Sequence, residues 1–231
     1  MLKVSGLNQF YGESHILWDL DLTVLGGACT CLMGRNGVGK TTLLKCIMGL
    51  LPTKSGAMDL LDQGLTKVRA EARASLGIGY VPQGRDIFPL MTVEENLRIG
   101  LAARADRRKT IPDQVFEIFP VLKSMLHRRG GDLSGGQQQQ LAIGRALVID
   151  PKLLILDEPT EGIQPNIVHE IGDVIVRLNR EMGVTVLLVE QKLPFARRVA
   201  DHFVIMEKGR NVASGPMSDL NGDIVQRFLS V

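Results

Sequence analysis

Apolar and polar residues alternate near the start of the chain, and further along the apolar residues form short unbroken runs. The alternation at residues 2–7 and 15–25 is typical of half-buried antiparallel strands, with a turn at Tyr11 and Gly12. The unbroken runs predict strands that are buried on both faces. The unbroken apolar runs are residues 29–33, 78–81, 153–156 and 184–189. A further short strand is predicted after the first helix, at residues 57–61.

Helical patterns lie between the predicted strands, and a β-hairpin pattern follows them at residues 203–213. Strands that alternate with helices predict a mostly parallel sheet with both faces covered, which makes this an α/β chain. The predicted helices are residues 43–49, 66–74, 92–100, 111–119, 133–149 and 167–182, followed by an amphipathic face at residues 224–229.

Residues 82–133 contain no convincing strand pattern, so we predict an inserted helical subdomain there. Thr92 and Glu95 have the spacing of a capping box at the start of one helix, which Gly100 is expected to end. Pro120 is expected to stop the next helix. The predicted organisation is one domain, 1–231, with an antiparallel β subdomain (about 1–30 and 50–80), a helical subdomain (about 84–145) and a core in the remainder.

Residues 34–42 read G-R-N-G-V-G-K-T-T and match the phosphate-binding pattern G-x-x-x-x-G-K-[ST]. They lie between a predicted strand and a predicted helix, so an accidental glycine-rich turn is a weak alternative. Glycines let backbone N–H groups surround phosphate oxygens, while Lys40 contacts the β- and γ-phosphates and Thr41 binds Mg²⁺. The predicted phosphate-binding residues are Gly34, Arg35, Asn36, Gly37, Val38, Gly39, Lys40, Thr41 and Thr42.

Two adjacent carboxylates, Asp157 and Glu158, follow the apolar run 153–156. Ligands of parallel sheets bind at the carboxyl ends of the strands, so both side chains are predicted to reach the phosphate site. Asp157 is the expected partner of Mg²⁺, and Glu158 is a candidate general base or orienter of the attacking water.

A second anion-binding pattern occurs at residues 133–137, which read L-S-G-G-Q. Ser134 and Gln137 have capping-box spacing at a helix start, and Gly135 and Gly136 allow a ligand to approach the backbone closely. On its own, this stretch fits an ordinary flexible helix start equally well. A single nucleotide site within one chain does not require two such helix N-termini.

The net charge of +2 is close to neutral and gives no reason to expect a nucleic-acid partner. Basic clusters at residues 104–109, 127–129 and 197–198 are expected to be solvated, with contact to a membrane or a partner as the alternative. No apolar run is long enough for a membrane-spanning helix and no signal-peptide pattern is found, so any membrane association is expected to be peripheral.

The cysteines Cys29, Cys31 and Cys46 lie in or beside apolar segments and are expected to be buried free thiols of a reducing cytoplasm. Cys29 and Cys31 share one strand face, but no second pair and no histidine lies near them in the sequence to complete a metal site.

The order of the phosphate loop, Gln83, the 133–137 motif and the paired carboxylates resembles the nucleotide-binding subunit of ATP-binding-cassette (ABC) transporters over essentially the whole chain. That resemblance implies a P-loop ABC-ATPase fold that binds ATP and Mg²⁺ and hydrolyses ATP. It also implies that Tyr11 stacks on adenine, and that Gln83 reaches Mg²⁺ and the attacking water. The loop after Gln83 would couple nucleotide state to membrane subunits.

Members of the family work as head-to-tail dimers, in which the signature of one protomer closes on the γ-phosphate held by the other. The resemblance therefore assigns residues 134–137 to a partner's nucleotide, which accounts for the surplus anion site. The implied partners are transmembrane permease subunits, a second ATPase subunit of the same or another kind, and indirectly a solute-binding protein. No nucleic acid is implied.

Two positions depart from the family pattern. Gln191 stands where most members place a histidine that contacts the γ-phosphate, and a glutamine donates a hydrogen bond but does not titrate near neutral pH. Gln164 stands where an aspartate usually contacts the opposite protomer. These departures predict either slower hydrolysis or pairing with a different ATPase subunit.

Three segments narrow the resemblance to ATPase subunits of branched-chain amino-acid-type importers: residues 77–85, 93–97 and 188–191. The run D-E-P-T-E-G-I-Q-P at residues 157–165 is similar to the urea-importing branch. The expectation is a peripheral ATPase on the cytoplasmic face of the inner membrane that drives uptake of a small polar solute, with urea first. The alternatives are import of branched-chain amino acids or short amides, a soluble ABC ATPase of ribosomes or DNA, and a P-loop kinase of small metabolites.

Overall fold

The strands of the chain form one small antiparallel sheet and one larger, mostly parallel sheet. The computed structural model describes residues 1–104 and 106–229. The strands are β1 Leu2–Tyr11, β2 Ser14–Val24, β3 Cys29–Met33, β4 Ser55–Leu60, β5 Gln63–Gly64, β6 Ile78–Val81, β7 Leu153–Asp157, β8 Thr185–Val189, β9 His202–Glu207 and β10 Arg210–Pro216. The α-helices are α1 Lys40–Ile47, α2 Ala70–Ser75, α3 Val93–Leu101, α4 Asp113–Ile118, α5 Pro120–Ser124, α6 Gly135–Leu147, α7 Pro165–Arg180, α8 Leu193–Val199 and α9 Gly222–Phe228.

The larger sheet has the strand order β10-β9-β3-β8-β7-β6, and all its pairs are parallel except the hairpin β9-β10. This confirms the predicted mostly parallel sheet and the C-terminal hairpin. The order places β3, β8 and β7 side by side in the middle. Because parallel strands end at the same edge, the loops after β3, β7 and β8 converge on one place.

Both faces of the larger sheet are buried, which explains why its central strands are continuous apolar runs. In β7, Leu153 and Ile155 pack into a core that is shared with α1 and the antiparallel sheet. Leu154 and Leu156 point to the other face and pack into a core formed with helices α3 to α8. Because successive side chains of β7 point to opposite faces of the sheet, this one strand contributes to both hydrophobic cores.

The smaller sheet has the order β2-β1-β4-β5 and is antiparallel throughout, as the alternating pattern predicts. Its inward side chains include Leu2, Val4 and Leu7, which are fully or almost fully buried. The predicted range of this subdomain extends too far, because β6 pairs with β7 in the larger sheet. A short apolar run does not reveal which sheet it joins.

The segment between β6 and β7 is helical, and its first helix begins as predicted. The Thr92 side chain accepts a hydrogen bond from the Glu95 backbone, and the Glu95 carboxylate accepts one from the Thr92 backbone. The expectation that Gly100 ends this helix is wrong. Gly100 lies inside α3, where a Cβ atom would come within 2.8 Å of the Arg145 carbonyl oxygen of α6. The glycine is needed for close helix packing and not for a turn.

Proline marks the start of two helices that were not predicted. Helix α4 ends at Ile118, just before Pro120, as predicted, and Pro120 also stands at the first position of α5, where its missing N–H is not needed. Helix α8, Leu193–Val199, was not predicted, and Pro194 lies in its first turn. In both places the fixed φ of proline favours a helix start as much as it prevents continuation.

Buried basic residues correct part of the expectation for the charged clusters. In the cluster 104–109, of which residue 105 lies outside the described residues, Arg104 is buried and donates hydrogen bonds to Asp106 and to the Val148 carbonyl.

A second buried arginine, Arg73, lies in α2, which begins at Ala70 and therefore later than predicted. Arg73 donates hydrogen bonds to the carbonyls of Cys46 and Ile47 at the end of α1. A cation there satisfies the free carbonyls of the helix that carries Lys40.

The cysteines are free and buried, as predicted. Burial raises the pKa of Cys29 to about 12 and the pKa of Cys46 to about 11. Burial also raises the pKa of Cys31 well above its ordinary value. These thiols stay protonated at neutral pH and pack as small apolar side chains.

Candidate nucleotide-binding site

A cavity of about 520 Å³ lies where the loops after β3, β7 and β8 converge. Half of the residues predicted to bind nucleotide or metal contribute to its wall, together with the predicted catalytic residues Glu158 and Gln191. The wall is formed by Tyr11, Ile16, Asn36, Gly37, Gly39, Lys40, Thr41, Thr42, Gln83, Glu158, Glu161 and Gln191.

The loop between β3 and α1 has a backbone that only glycine adopts without strain at several positions. Gly34, Gly37 and Gly39 have φ angles of 141°, 80° and 106°. A Cβ atom on Gly34 would lie 2.4 Å from the Met206 carbonyl oxygen, and one on Gly39 would lie 3.0 Å from the Leu17 side chain. The loop is therefore a cradle of exposed backbone, and α1 begins directly after it at Lys40. Such a cradle fits phosphate oxygens.

The Lys40 side chain lies against the inside of this loop. Its Nζ donates to the carbonyl oxygens of Gly34 at 2.7 Å and of Arg35 at 2.9 Å. Burial lowers the pKa of Lys40, and the carboxylates of Glu158, Asp157 and Glu190 oppose that shift. An ammonium group has three donors, so two bonds to the loop leave one for a phosphate.

Thr41, in the cavity wall, and the buried Asp157 beside it form an oxygen-rich pair. The Thr41 hydroxyl donates to the Asp157 carboxylate across 3.5 Å, and Asp157 is buried. Burial, with the charge of Glu158, raises the pKa of Asp157 to about 6, against the opposing effect of Lys40. Hydroxyl and carboxylate oxygens are the ligands that Mg²⁺ prefers, so this donor set fits the metal.

Glu158 follows β7 with a φ of 48°, in the left-handed region that side chains other than glycine rarely adopt. Its carboxylate accepts a hydrogen bond from the Gln191 amide at 2.5 Å. The same amide nitrogen donates to the Asn36 side chain at 2.8 Å. Gln191 thus connects the end of β8 with both the phosphate loop and Glu158.

Glu190 is a site residue that sequence reasoning missed. Its carboxylate is buried and accepts hydrogen bonds from the backbone of Gln191 and Lys192 and from the Thr160 hydroxyl at 2.7 Å. Lys192 returns a bond to the Thr160 carbonyl. These bonds hold the loops after β7 and β8 together and so fix where Glu158 and Gln191 stand.

Gln83 reaches the cavity from the loop after β6. Its hydrogen-bond partner, Glu161, is the second site residue that sequence reasoning missed. The Gln83 amide nitrogen donates to the Glu161 carboxylate at 2.8 Å, and both side chains form part of the wall. The run D-E-P-T-E contains this third acid two residues after Pro159, which was a signal in the sequence.

Tyr11 ends β1 at the rim of the cavity, with 46% of its surface exposed. Elsewhere on the same β1–β2 hairpin, the rings of Phe10, His15 and Trp18 form a stack, with centroid separations of 4.0 Å and 3.6 Å. An exposed aromatic ring at the rim fits a planar base.

Residues 134–137 form the start of α6 and do not belong to the cavity wall formed by the described residues. Ser134 and Gln137 make the predicted capping box, with bonds of 3.0 Å and 3.3 Å between side chain and backbone. Gly136 lies against Ile167, where a Cβ atom would come within 2.8 Å. The start of α6 therefore lies apart from the cavity in which α1 begins, as expected if residues 134–137 serve the site of a second chain.

The ABC transporter family model matches residues 17–161, which is more than half of the chain. The matched stretch includes the phosphate loop, the 133–137 motif, Asp157 and Glu158. The chain belongs to the ABC transporter family. Its P-loop ABC-ATPase fold and its use of ATP with Mg²⁺, which the resemblance implied, are thereby confirmed.

Similar proteins include ATPase subunits of amino-acid transporters. The high-affinity branched-chain amino acid transport ATP-binding protein BraG of Pseudomonas aeruginosa is 41% identical over 213 residues, which are 92% of this ABC chain and 91% of the relative. The probable branched-chain amino acid transport ATP-binding protein LivF of Archaeoglobus fulgidus is 38% identical over 223 residues, with 95% and 94% covered. Among solved structures, a nucleotide-free ATP-binding cassette from an ABC transporter aligns with a TM-score of 0.82 and 29% sequence identity. The alignment covers 100% of this chain and 95% of the solved chain.

This chain is therefore an ATPase and the ATP-binding subunit of an ABC transporter. ABC ATPases of this kind work as dimers with transmembrane permease subunits. Within residues 1–104 and 106–229, the structure contains no helix with the length and apolar character needed to span a membrane.

Proposed function

We propose that this chain is the ATPase subunit of an importer for branched-chain amino acids or short amides. The observation that carries the proposal is the 41% identity to BraG over 92% of the chain. The names of these relatives favour branched-chain amino acids over urea, the solute that was expected first from the sequence. In this proposal the chain binds to the cytoplasmic face of the inner membrane and acts on the solute only through its permease subunits.

Urea import is the second candidate, because one stretch of the site favours it. Residues 157–165, D-E-P-T-E-G-I-Q-P, are similar to the urea-importing branch of the family. This run includes Asp157, Glu158 and Glu161, so the similarity lies in the catalytic loop. The ATPase subunit does not contact the solute. The loop therefore supports urea only through its sequence similarity to urea importers, and not because it binds urea.

The mechanism that we propose relies on positioning and electrostatics. Lys40 and the loop amides hold the phosphates, Thr41 and Asp157 hold Mg²⁺, and Tyr11 stacks on adenine. When bound, Mg²⁺ would supply positive charge that offsets the negative charge of the phosphates. Glu158 accepts a hydrogen bond from the attacking water and orients it in line with the γ-phosphate.

Amide side chains complete the proposed catalytic set. Gln191 already bonds to Glu158 and Asn36, so it lies where a γ-phosphate would meet the attacking water. Gln83 reaches the same space from the loop after β6, where its carbonyl oxygen would serve as a further ligand of Mg²⁺ and contact the attacking water. Residues 134–137 act on the nucleotide of the other protomer, where Ser134 and Gly136 stabilise the transferred charge.

Since Gln191 cannot act as an imidazole would, we propose that the working dimer pairs this chain with a second, distinct ATPase subunit. The solute-binding protein acts indirectly, from the other side of the permease. No nucleic-acid partner is proposed.

Uptake of labelled leucine and labelled urea in cells that lack this chain tests the proposal. Selective loss of leucine uptake supports the first candidate, and selective loss of urea uptake supports the second. Loss of neither rejects both. The matched variants are Lys40→Ala, which should fail to restore uptake, and Lys45→Ala on the exposed side of α1, which should restore it.

A further inference from the structure

Gln83 and Glu161 face each other across the wall of the nucleotide cavity. The Gln83 Nε2 atom donates to the Glu161 Oε2 atom at 2.8 Å, although the residues are 78 positions apart in the chain. One side chain comes from the loop after β6, and the other from the loop that carries Glu158. The contact therefore connects two loops that must both be placed for hydrolysis.

The chemistry of this pair fixes which end of the carboxamide faces which way. An ionised carboxylate only accepts hydrogen bonds, so the nitrogen of Gln83 must face Glu161. The carbonyl oxygen of Gln83 then faces away from that carboxylate. With the amide reversed, two oxygen atoms carrying negative charge would meet, and the hydrogen bond would be lost.

The backbone on the Gln83 side is held in an unusual conformation. Gly84, Arg85 and Asp86 have φ angles of 81°, 76° and 47°, and residues other than glycine rarely adopt this left-handed conformation. The Arg145 guanidinium of α6 donates to the carbonyls of Arg85 at 3.4 Å and of Asp86 at 2.8 Å. These bonds stabilise the conformation that carries Gln83 to the cavity.

The Glu161 side is held by the same loop. Arg85 donates to the Glu161 carbonyl at 3.3 Å and to the Gln138 side chain at 3.3 Å. The Glu161 backbone N–H donates to the Glu158 carbonyl at 3.1 Å. Glu161 is thus tied to the loop that it orients and to the residue that is proposed to orient water.

We propose that Glu161 is a positioning residue that orients the Gln83 carboxamide so that its oxygen is presented to the nucleotide-bound divalent cation. The inference rests on the proposed role of Gln83 as a metal ligand. A cation of this kind takes oxygen and not amide nitrogen as its ligand, so the orientation decides whether Gln83 can serve. Glu161 itself acts through Gln83.

The test measures how much Mg²⁺ tightens nucleotide binding. Isothermal titration calorimetry gives the Kd of the non-hydrolysable analogue AMP-PNP in excess Mg²⁺ and in EDTA, and the ratio of the two values is the metal enhancement. Glu161→Gln offers a donor as well as an acceptor, so the Gln83 amide is no longer fixed. We expect the enhancement to fall by about five- to tenfold, while the Kd in EDTA changes less than about twofold.

The matched control is Glu170→Gln. Glu170 also accepts a hydrogen bond from a glutamine, Gln140, at 3.3 Å, and it does not belong to the cavity wall that the described residues form. This variant makes the same chemical change with the same loss of charge, and its metal enhancement should match that of the unmodified chain. A variant that only damages the fold would raise both Kd values and leave their ratio unchanged.

Gln83→Ala and the double variant separate orientation from simple loss of charge. If Glu161 acts through Gln83, the double variant loses no more enhancement than Gln83→Ala alone. Multiplied losses would overturn the proposal, because Glu161 would then act on the cation through its own charge. An unchanged enhancement in either single variant, or no enhancement in the unmodified chain, would also overturn it. Absence of AMP-PNP binding altogether would instead contradict the proposed function.

Discussion

Glu158 combines a strained backbone with a carboxylate directed at the cavity, and this combination makes its replacement informative. Glu158→Gln keeps the shape of the side chain and removes only its charge. We expect ATP binding to remain and hydrolysis to fall by at least ~100-fold, since a group that acts on the reacting atoms contributes several kcal/mol to the barrier. Steady-state phosphate release together with nucleotide titration checks both parts.

Gln191→Ala is the companion variant. Gln191 donates to Glu158 and Asn36, so its loss leaves the carboxylate in place but less well oriented. The fall in turnover should therefore be smaller than for Glu158→Gln. Equal losses would show that Gln191 is as necessary as the carboxylate, and unchanged turnover in Glu158→Gln would remove Glu158 from its role.

The ionised carboxylate of Asp157 lowers the free energy of unfolding of the nucleotide-free chain, because burial raises its pKa from 3.8 to about 6. Between these two pH values the folded chain holds a proton that the unfolded chain has lost. The free energy of unfolding therefore falls as the pH rises through this interval. Above pH 6 the full cost is present, and the shift corresponds to a cost on the order of 3 kcal/mol.

Asp157→Asn should remove this cost. Without nucleotide or metal, we expect the variant to be more stable than the unmodified chain at pH 7 to 8, with a difference that shrinks towards pH 4. Urea denaturation at several pH values measures it. A pH-independent difference would contradict the assignment, and so would a variant that is less stable at neutral pH.

The close contact between α3 and α6 requires a glycine at position 100. A methyl group on Gly100 would meet the Arg145 carbonyl at 2.8 Å and the Val148 Cβ at 3.1 Å, so the helices would have to separate. Gly100→Ala should destabilise the chain by about 1–3 kcal/mol, against its better helix propensity. Thermal unfolding measures the change.

Gly222→Ala is the matched control, because a Cβ atom on this glycine of α9 meets nothing within 4 Å. It should be neutral or slightly stabilising. If both variants behaved alike, helix packing would not be the reason for a glycine at position 100.

Buried strands were the most predictable elements, since a strand with two covered faces is apolar throughout. Residues 78–81 were predicted with the bounds that the structure has, and 153–156 and 184–189 were within one residue of theirs. Helix ends were less predictable. Gly100 and Pro194 each have two physical uses, and only the neighbouring helix or turn decides between them.

The site was predictable where one contiguous stretch carries the chemistry. Lys40, Thr41 and Asp157 follow from a loop pattern and a strand end. Glu161 and Glu190 could not be assigned in this way, because their partners Gln83 and Thr160 lie 78 and 30 positions away in the sequence. Such pairs exist only after the loops have been brought to one edge of the sheet.

The separation of residues 134–137 from the cavity gives a prediction for the assembly. If two copies of this chain form a head-to-tail dimer, Lys40→Ala and Ser134→Arg should each abolish ATPase activity. In a mixture, one site of each mixed dimer has both an intact Lys40 and an intact Ser134. Activity should then recover to roughly a quarter of the normal value.

No recovery on mixing would contradict a homodimer with shared sites. Co-expression with a second ATPase subunit from the same importer is then the decisive comparison. Recovery in that case, but not with copies of this chain alone, would agree with the pairing proposed from Gln191.

Trp18 is the only tryptophan of the chain, and its ring stacks on His15 in β2, the strand that pairs with the strand ending at Tyr11. Its indole emission is therefore a built-in optical reporter of the β1–β2 hairpin that carries Tyr11. Binding of ATP should change that emission without any attached dye, and Tyr11→Ala should weaken the response. Stopped-flow fluorescence could then follow nucleotide entry and release in the assembled transporter, provided that its partners' tryptophans are replaced.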